Sequence, residues 1–152
     1  MAKYLLGTQV LVDLARNDES DEIYRWMDRE DLKMSAVAVS VMSFEVFAAH
    51  VDKLPAKDRG IWSPLLERQL RKFQRRGTIL PVTLNVALQC AGLEALDLEE
   101  IDPVSGKRVA VDLATQLVAS TAVVEGLTLC DGRQPYHDEL ETRGLSLLDP
   151  YS

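Results

Sequence analysis

The chain has 152 residues and a net charge of −7, which opposes strong non-specific binding to nucleic acid because that binding rests on neutralising phosphates. Apolar residues make up 47% and charged residues 27%, the balance of a globular domain rather than a disordered or fibrous chain. No apolar run approaches the roughly 20 residues needed to span a bilayer.

By length the chain reads as one domain, residues 1–152, with enough sequence for a substantial core. Asp13 and Arg16 interrupt the first apolar stretch, unlike a secretory signal, so the expected location is the cytoplasm with no membrane partner. Cys90 and Cys130 have no metal-type spacing and read as reduced structural thiols.

The first stretch is Lys3–Arg16, KYLLGTQVLVDLAR. A short apolar run suits a buried parallel strand. Gly7 and Thr8 break it, Thr8 can cap a helix at this point, and Val10, Leu11 and Leu14 continue as that helix. A strand–turn–helix of this kind puts its turn at the carboxyl end of a strand, where α/β sheets build sites.

Asn17–Ser20 reads as a turn with a helix cap, and Ile23, Trp26 and Met27 form the stripe of a second helix. Leu32–Val39 is a second strand, running near Ser40 into a helix with Val41, Phe44, Glu45, Val46 and Phe47. Glu45 is an acid among apolar residues. Such a carboxylate faces solvent, a partner or a metal.

After Pro55, Lys57–Arg76 is a long amphipathic segment with a stripe of Trp62, Leu65, Leu66, Leu70 and Phe73. Arg68, Arg71, Lys72, Arg75 and Arg76 gather at its end, before Gly77. They read either as a cationic helix terminus that complements the dipole or as a nucleic-acid contact patch, and both can hold. Thr78–Val82 is a strand, Leu84–Leu98 a helix, and Ile101–Lys107 a turn-rich loop. Strands near Leu5, Ser35, Leu80, Leu129 and Leu147 alternating with helices imply a mainly parallel α/β sheet.

The opening stretch resembles the PIN-domain family, most closely the VapC-type toxins of bacterial toxin–antitoxin pairs, whose first strand typically reads YLLDTNVLIDLL. Further on, SVMSFEVF is similar to the family's S-x-x-T-x-x-E-L, with Glu45 in the acidic place. LVASTA (117–122) resembles LIAATA, GLTLC (126–130) resembles GLTLVT, and LSLLDPYS resembles a final strand closing in NPW. The resemblance implies a three-layer α/β/α fold. It also implies RNA hydrolysis by an acidic cluster holding Mg²⁺ or Mn²⁺, a small antitoxin partner and a homodimer.

At the family's site positions this chain departs from the pattern. Gly7 stands for the first Asp, Gln9 for Asn, Thr115 for the third acid and Arg133 for the fourth. Glu45 is kept, and Asp131 and Asp112 lie nearby. Asp112 is one helical step before Thr115, about 4.5 Å nearer the helix start, and Asp131 follows the fourth strand directly. Arg133 in the fourth place would disfavour a cation.

The residues leave three functions open. One is a PIN-fold protein with a degenerate site that acts by binding an antitoxin-like partner, itself or RNA. The second is an active nuclease with Glu45, Asp131 and Asp112 as catalytic acids, Glu45 and Asp131 holding Mg²⁺ or Mn²⁺. The third is an α/β domain of another kind. His50 and His137 sit in no nucleophile or metal motif, and there is no glycine-rich phosphate loop. The first reading is preferred, with no cofactor required, because the losses fall where ligands are needed while the structural strings persist.

Overall fold

The computed structural model describes residues 2–16, 22–29, 36–102 and 104–152. The strand β1 (Tyr4–Leu6) lies at the centre of a five-stranded sheet ordered β3-β2-β1-β6-β7. Its neighbours are β2 (Val37–Ser40) and β6 (Thr128–Cys130). The edges are β3 (Ile79–Leu80) and β7 (Ser146–Leu148). Every pairing in this sheet is parallel.

The apolar runs explain the centre. Leu5, Leu6, Val37, Val39 and Leu129 are at most 1% exposed, and each such side chain contributes about 1.5–3 kcal/mol on burial. Side chains alternate across the strand, so Leu6 and Leu5 join different cores. Leu6 packs with α1 (Thr8–Ala15), α2 (Glu22–Arg29), α3 (Val41–Asp52) and α4 (Ala56–Arg76). Leu5 packs with α6 (Leu113–Glu125) and α7 (Pro135–Glu141). The result is a sheet between two helical layers.

The stripe read for the second helix is its buried face: Ile23, Trp26 and Met27 are all core residues. Phe73 is fully buried, and the Trp62 ring stands edge-on to Phe47 at 6.0 Å, whereas Leu70 is 37% exposed. Gly77 ends α4 at φ 65° and Gly126 ends α6 at φ 66°, left-handed caps that glycine adopts at no steric cost.

Several local expectations are corrected. Thr8 does not cap the first helix: it is the first helical residue, and the capping position belongs to Gly7, which has no side chain to offer. The expected strand centre at Ser35 lies outside the described residues, as does the turn at Asn17–Ser20; the strand is at Val37–Ser40. The helix expected over Leu84–Leu98 is α5 (Leu84–Ala91), which stops at Gly92. Beyond it β4 (Glu99–Ile101) and β5 (Arg108–Ala110) form an antiparallel hairpin around the turn-rich loop. Among the described residues no helix is long and apolar enough to cross a membrane.

Candidate functional site

The parallel register sets two chain reversals side by side. Leu6 pairs with Cys130, so Gly7 and Asp131 leave adjacent strands at the same level. The Gly7 N–H donates to the Cys130 carbonyl at 2.8 Å. A cavity of about 620 Å³ opens at these carboxyl ends. Its walls carry Gln9 and Asp13 of α1, Val46 and His50 of α3, Glu100 of β4, Asp112 and Thr115 at the start of α6, and Asp131 after β6. Tyr136 and Tyr151 add two rings.

Four acids line this space, each in a different state. Asp13 is 8% exposed and already engaged. It accepts hydrogen bonds from Gln9 Nε2 at 3.0 Å and from the Tyr151 hydroxyl, and it pairs with Arg16 at 2.8 Å. Asp112 is the N-cap of α6, and its Oδ1 accepts from the Thr115 N–H at 2.8 Å. Glu100 has its carboxyl raised above the ordinary range, first by burial and then by Asp112 and Asp102. Burial pushes Asp131 up to about 7. The Gly132 N–H, donating to Oδ1 at 2.9 Å, holds it down, while Glu100 and Asp149 push it further up.

Asp131 also fills the space beside Gly7. A Cβ on Gly7 would lie 2.5 Å from Asp131 Cγ, 2.7 Å from Oδ2 and 2.9 Å from Cβ. Side-chain carbon and oxygen cannot approach so closely. The carboxylate of Asp131 therefore stands where a residue at position 7 would begin its side chain.

The expected site residues divide accordingly. Gln9, Thr115, Asp112 and Asp131 line the cavity, with Gly7 against Asp131. Glu45 and Arg133 do not. Glu45 is exposed, and its neighbour Val46 takes the place on the cavity wall. The motif spacing agrees: in S-x-x-T-x-x-E-L counted from Ser40, the acid position falls on Val46. Successive helical residues point about 100° apart, so an acid displaced by one residue leaves the face. Arg133 is corrected too. Its Nη1 donates to Asp138 Oδ1 and Glu141 Oε1, both at 2.6 Å, so it serves α7 rather than the cavity.

The sequence reading missed Glu100, Asp13 and Val46 as wall residues. Asp13 carried a signal, standing one turn after Gln9 on the same helix face. His137, given no role from sequence, is fully buried; its Nδ1 accepts the Gln134 N–H at 2.8 Å where α7 begins. The cationic residues Arg68, Arg71, Lys72, Arg75 and Arg76 line a separate groove on α4.

A hard divalent ion takes oxygen ligands, preferably ionised carboxylates. Gly7 and Val46 supply no oxygen from their side chains, Thr115 supplies a neutral one, and Asp13 is saturated by its own partners. Among the described residues, no group of three or more His, Cys, Asp and Glu side chains is arranged to hold a metal ion. At the positions where the resemblance implies ligands, Gly7, Val46, Thr115 and Arg133, the donor set lacks the carboxylates of a PIN-type metal centre.

The fold itself has close counterparts. The chain aligns over 97% of its length with 98% of a chain in the crystal structure of FitAcB from Neisseria gonorrhoeae, at 22% identity and a TM-score of 0.71. It aligns over 99% with 99% of a chain in DNA-bound VapBC from Salmonella typhimurium, at 16% identity and a TM-score of 0.64. VapBC2 from Rickettsia felis, bound to a promoter DNA fragment, matches 95% of this chain and 96% of its own, at 18% identity and a TM-score of 0.61. No family model and no curated protein matches the chain. The likeness is one of architecture: a parallel sheet between helices.

Proposed function

We propose that this chain is the PIN-type component of a toxin–antitoxin pair and that it acts by binding, its metal-dependent ribonuclease chemistry having been lost. One observation supports the reading: the carboxyl of Asp131 blocks the space in which a side chain at position 7, the place of the family's first ligand, would begin. The replacement is not equivalent. Asp131 is pushed up to about 7, so near pH 6 it is largely a neutral acid and a poor ligand for a hard cation.

An antitoxin-like partner has a place to sit. Next to the acidic cavity runs an apolar groove of about 280 Å³ lined by Val12, Phe47, Val51, Leu54 and Trp62, with Thr8, Gln9 and His50 shared between the two. A partner segment with an apolar face and one cationic side chain would match both surfaces. Self-association has a separate candidate face: Leu84 and Leu88, one turn apart on α5, are 75% and 62% exposed, and Leu113 is 62% exposed. Phe73, fully buried, belongs to the core and not to this face.

The test is a gel assay on mixed RNA with Mg²⁺ or Mn²⁺. No cleavage above a chelator control is expected. Cleavage that chelator and Asp131→Asn both abolish would replace this reading with an active enzyme built on Asp131, Asp112 and Glu100, three of the four acids in the cavity.

A further inference from the structure

The last turns of α4 carry an arrangement that the acidic cavity does not explain. Arg68, Lys72 and Arg76 stand at successive i, i+4 positions, and Arg71 and Arg75 form a second such row. Together with Pro64 and Glu67 they line a groove of about 580 Å³. Like charges at this spacing repel and weaken a helix. Among the described residues the groove holds a single ion pair, Arg71–Glu67 at 3.3 Å. Lys72 is held below the ordinary lysine range, first by burial and then by the Arg76 charge beside it.

The helix dipole accounts for only part of this. It acts within the last turn, where Arg75 and Arg76 lie. Arg68, Arg71 and Lys72 stand further back. An interface for a folded protein would be expected to carry aromatic or aliphatic anchors at its centre. Here the lining is four guanidinium groups, one ammonium, one carboxylate and one proline. Guanidinium groups in a row suit repeated phosphate oxygens, which they grip bidentately.

We infer that this α4 groove is a binding site for the phosphodiester backbone of nucleic acid. The cations from Arg68 to Arg76 span about 12 Å along the helix axis, enough to meet several phosphates. The site is distinct from the cavity. The groove ends at Gly77, where the chain enters β3, so it lies at the amino ends of the parallel strands. The cavity opens at their carboxyl ends, and the two share no lining residue. An acidic cavity would repel a polyanion; the groove at the far end does not place one there. The overall charge of −7 keeps binding local to this groove.

The experiment is fluorescence anisotropy of the full chain with two labelled probes of equal length, a DNA duplex and a single-stranded RNA, between about 50 and about 200 mM salt. With about four phosphate contacts, duplex affinity falls on the order of a hundredfold over that range. Arg68→Ala/Arg75→Ala, at two exposed positions with no acidic partner among the described residues, lowers the logarithmic salt slope by about 1.8 for duplex or about 1.4 for single strand. Tighter binding of one probe identifies DNA or RNA as the source of the backbone, and equal binding means that either serves. The inference is overturned if neither probe binds at low salt, if the double variant binds as the parent does, or if a polyglutamate peptide of matched charge outcompetes both probes, which would make the partner an acidic protein.

Discussion

Asp131 occupies the space that a side chain on Gly7 would need. Gly7 has φ −70°, a backbone conformation open to any residue, so the requirement for glycine comes from its neighbour and not from the turn. Gly7→Ala should therefore cost about 1–3 kcal/mol, the usual range for forcing an atom into filled space. In an Asp131→Gly background the same change should cost little, because every side-chain atom that blocks it is gone. Urea unfolding of the four-member cycle checks this. An equal cost of Gly7→Ala in both backgrounds would mean that the two residues are not coupled.

The pH dependence of stability should show two opposing groups. Asp131 has a folded pKa of about 7, above its unfolded value of about 3.9. Between these values the folded state holds a proton that the unfolded state has released, so this contribution is full at low pH and is lost as pH rises towards 7. His137 runs the other way. Burial first, then Arg133, lowers it to about 4, so the unfolded state binds the extra proton below about 6.5 and stability is lost as pH falls. In the parent protein the two slopes partly cancel. Asp131→Asn removes the Asp131 slope and leaves those of the other shifted groups, so its stability should rise relative to the parent by about 3 kcal/mol from pH 4 to pH 7. Parallel profiles from thermal or urea unfolding would contradict the assignment.

The proposed dimer makes a separate prediction. The parent chain should sediment as a dimer at micromolar concentration, and Leu84→Glu/Leu88→Glu as a monomer. Both positions are exposed in the single chain, so the folding stability of the variant should stay within about 0.5 kcal/mol of the parent. A parent chain that is strictly monomeric at that concentration would rule the dimer out.

How much the sequence disclosed depended on the kind of signal. The strands around Leu5, Leu80, Leu129 and Leu147 were legible because buried parallel strands are short continuous apolar runs. The hairpin of Glu99–Ile101 and Arg108–Ala110 was not, because its residues are charged or exposed and show no alternation. With that hairpin went Glu100, whose strand places it on the cavity wall. The sequence marked Gly7, Thr115 and Asp131 as the positions that matter, but not that Asp131 turns into the space left by Gly7, which is a matter of strand register. At Glu45 a chemical resemblance outweighed spacing. An acid one residue from the motif position looks conservative in a string of letters, yet on a helix it points about 100° away.

The loss of the metal centre is tested most directly by titrating the full chain with Mn²⁺ in a calorimeter near pH 6. No saturable binding is expected up to millimolar Mn²⁺, and the same result for Asp131→Asn. A single-site isotherm in the parent chain that disappears in Asp131→Asn would show that Asp131 holds the ion, and would contradict the account.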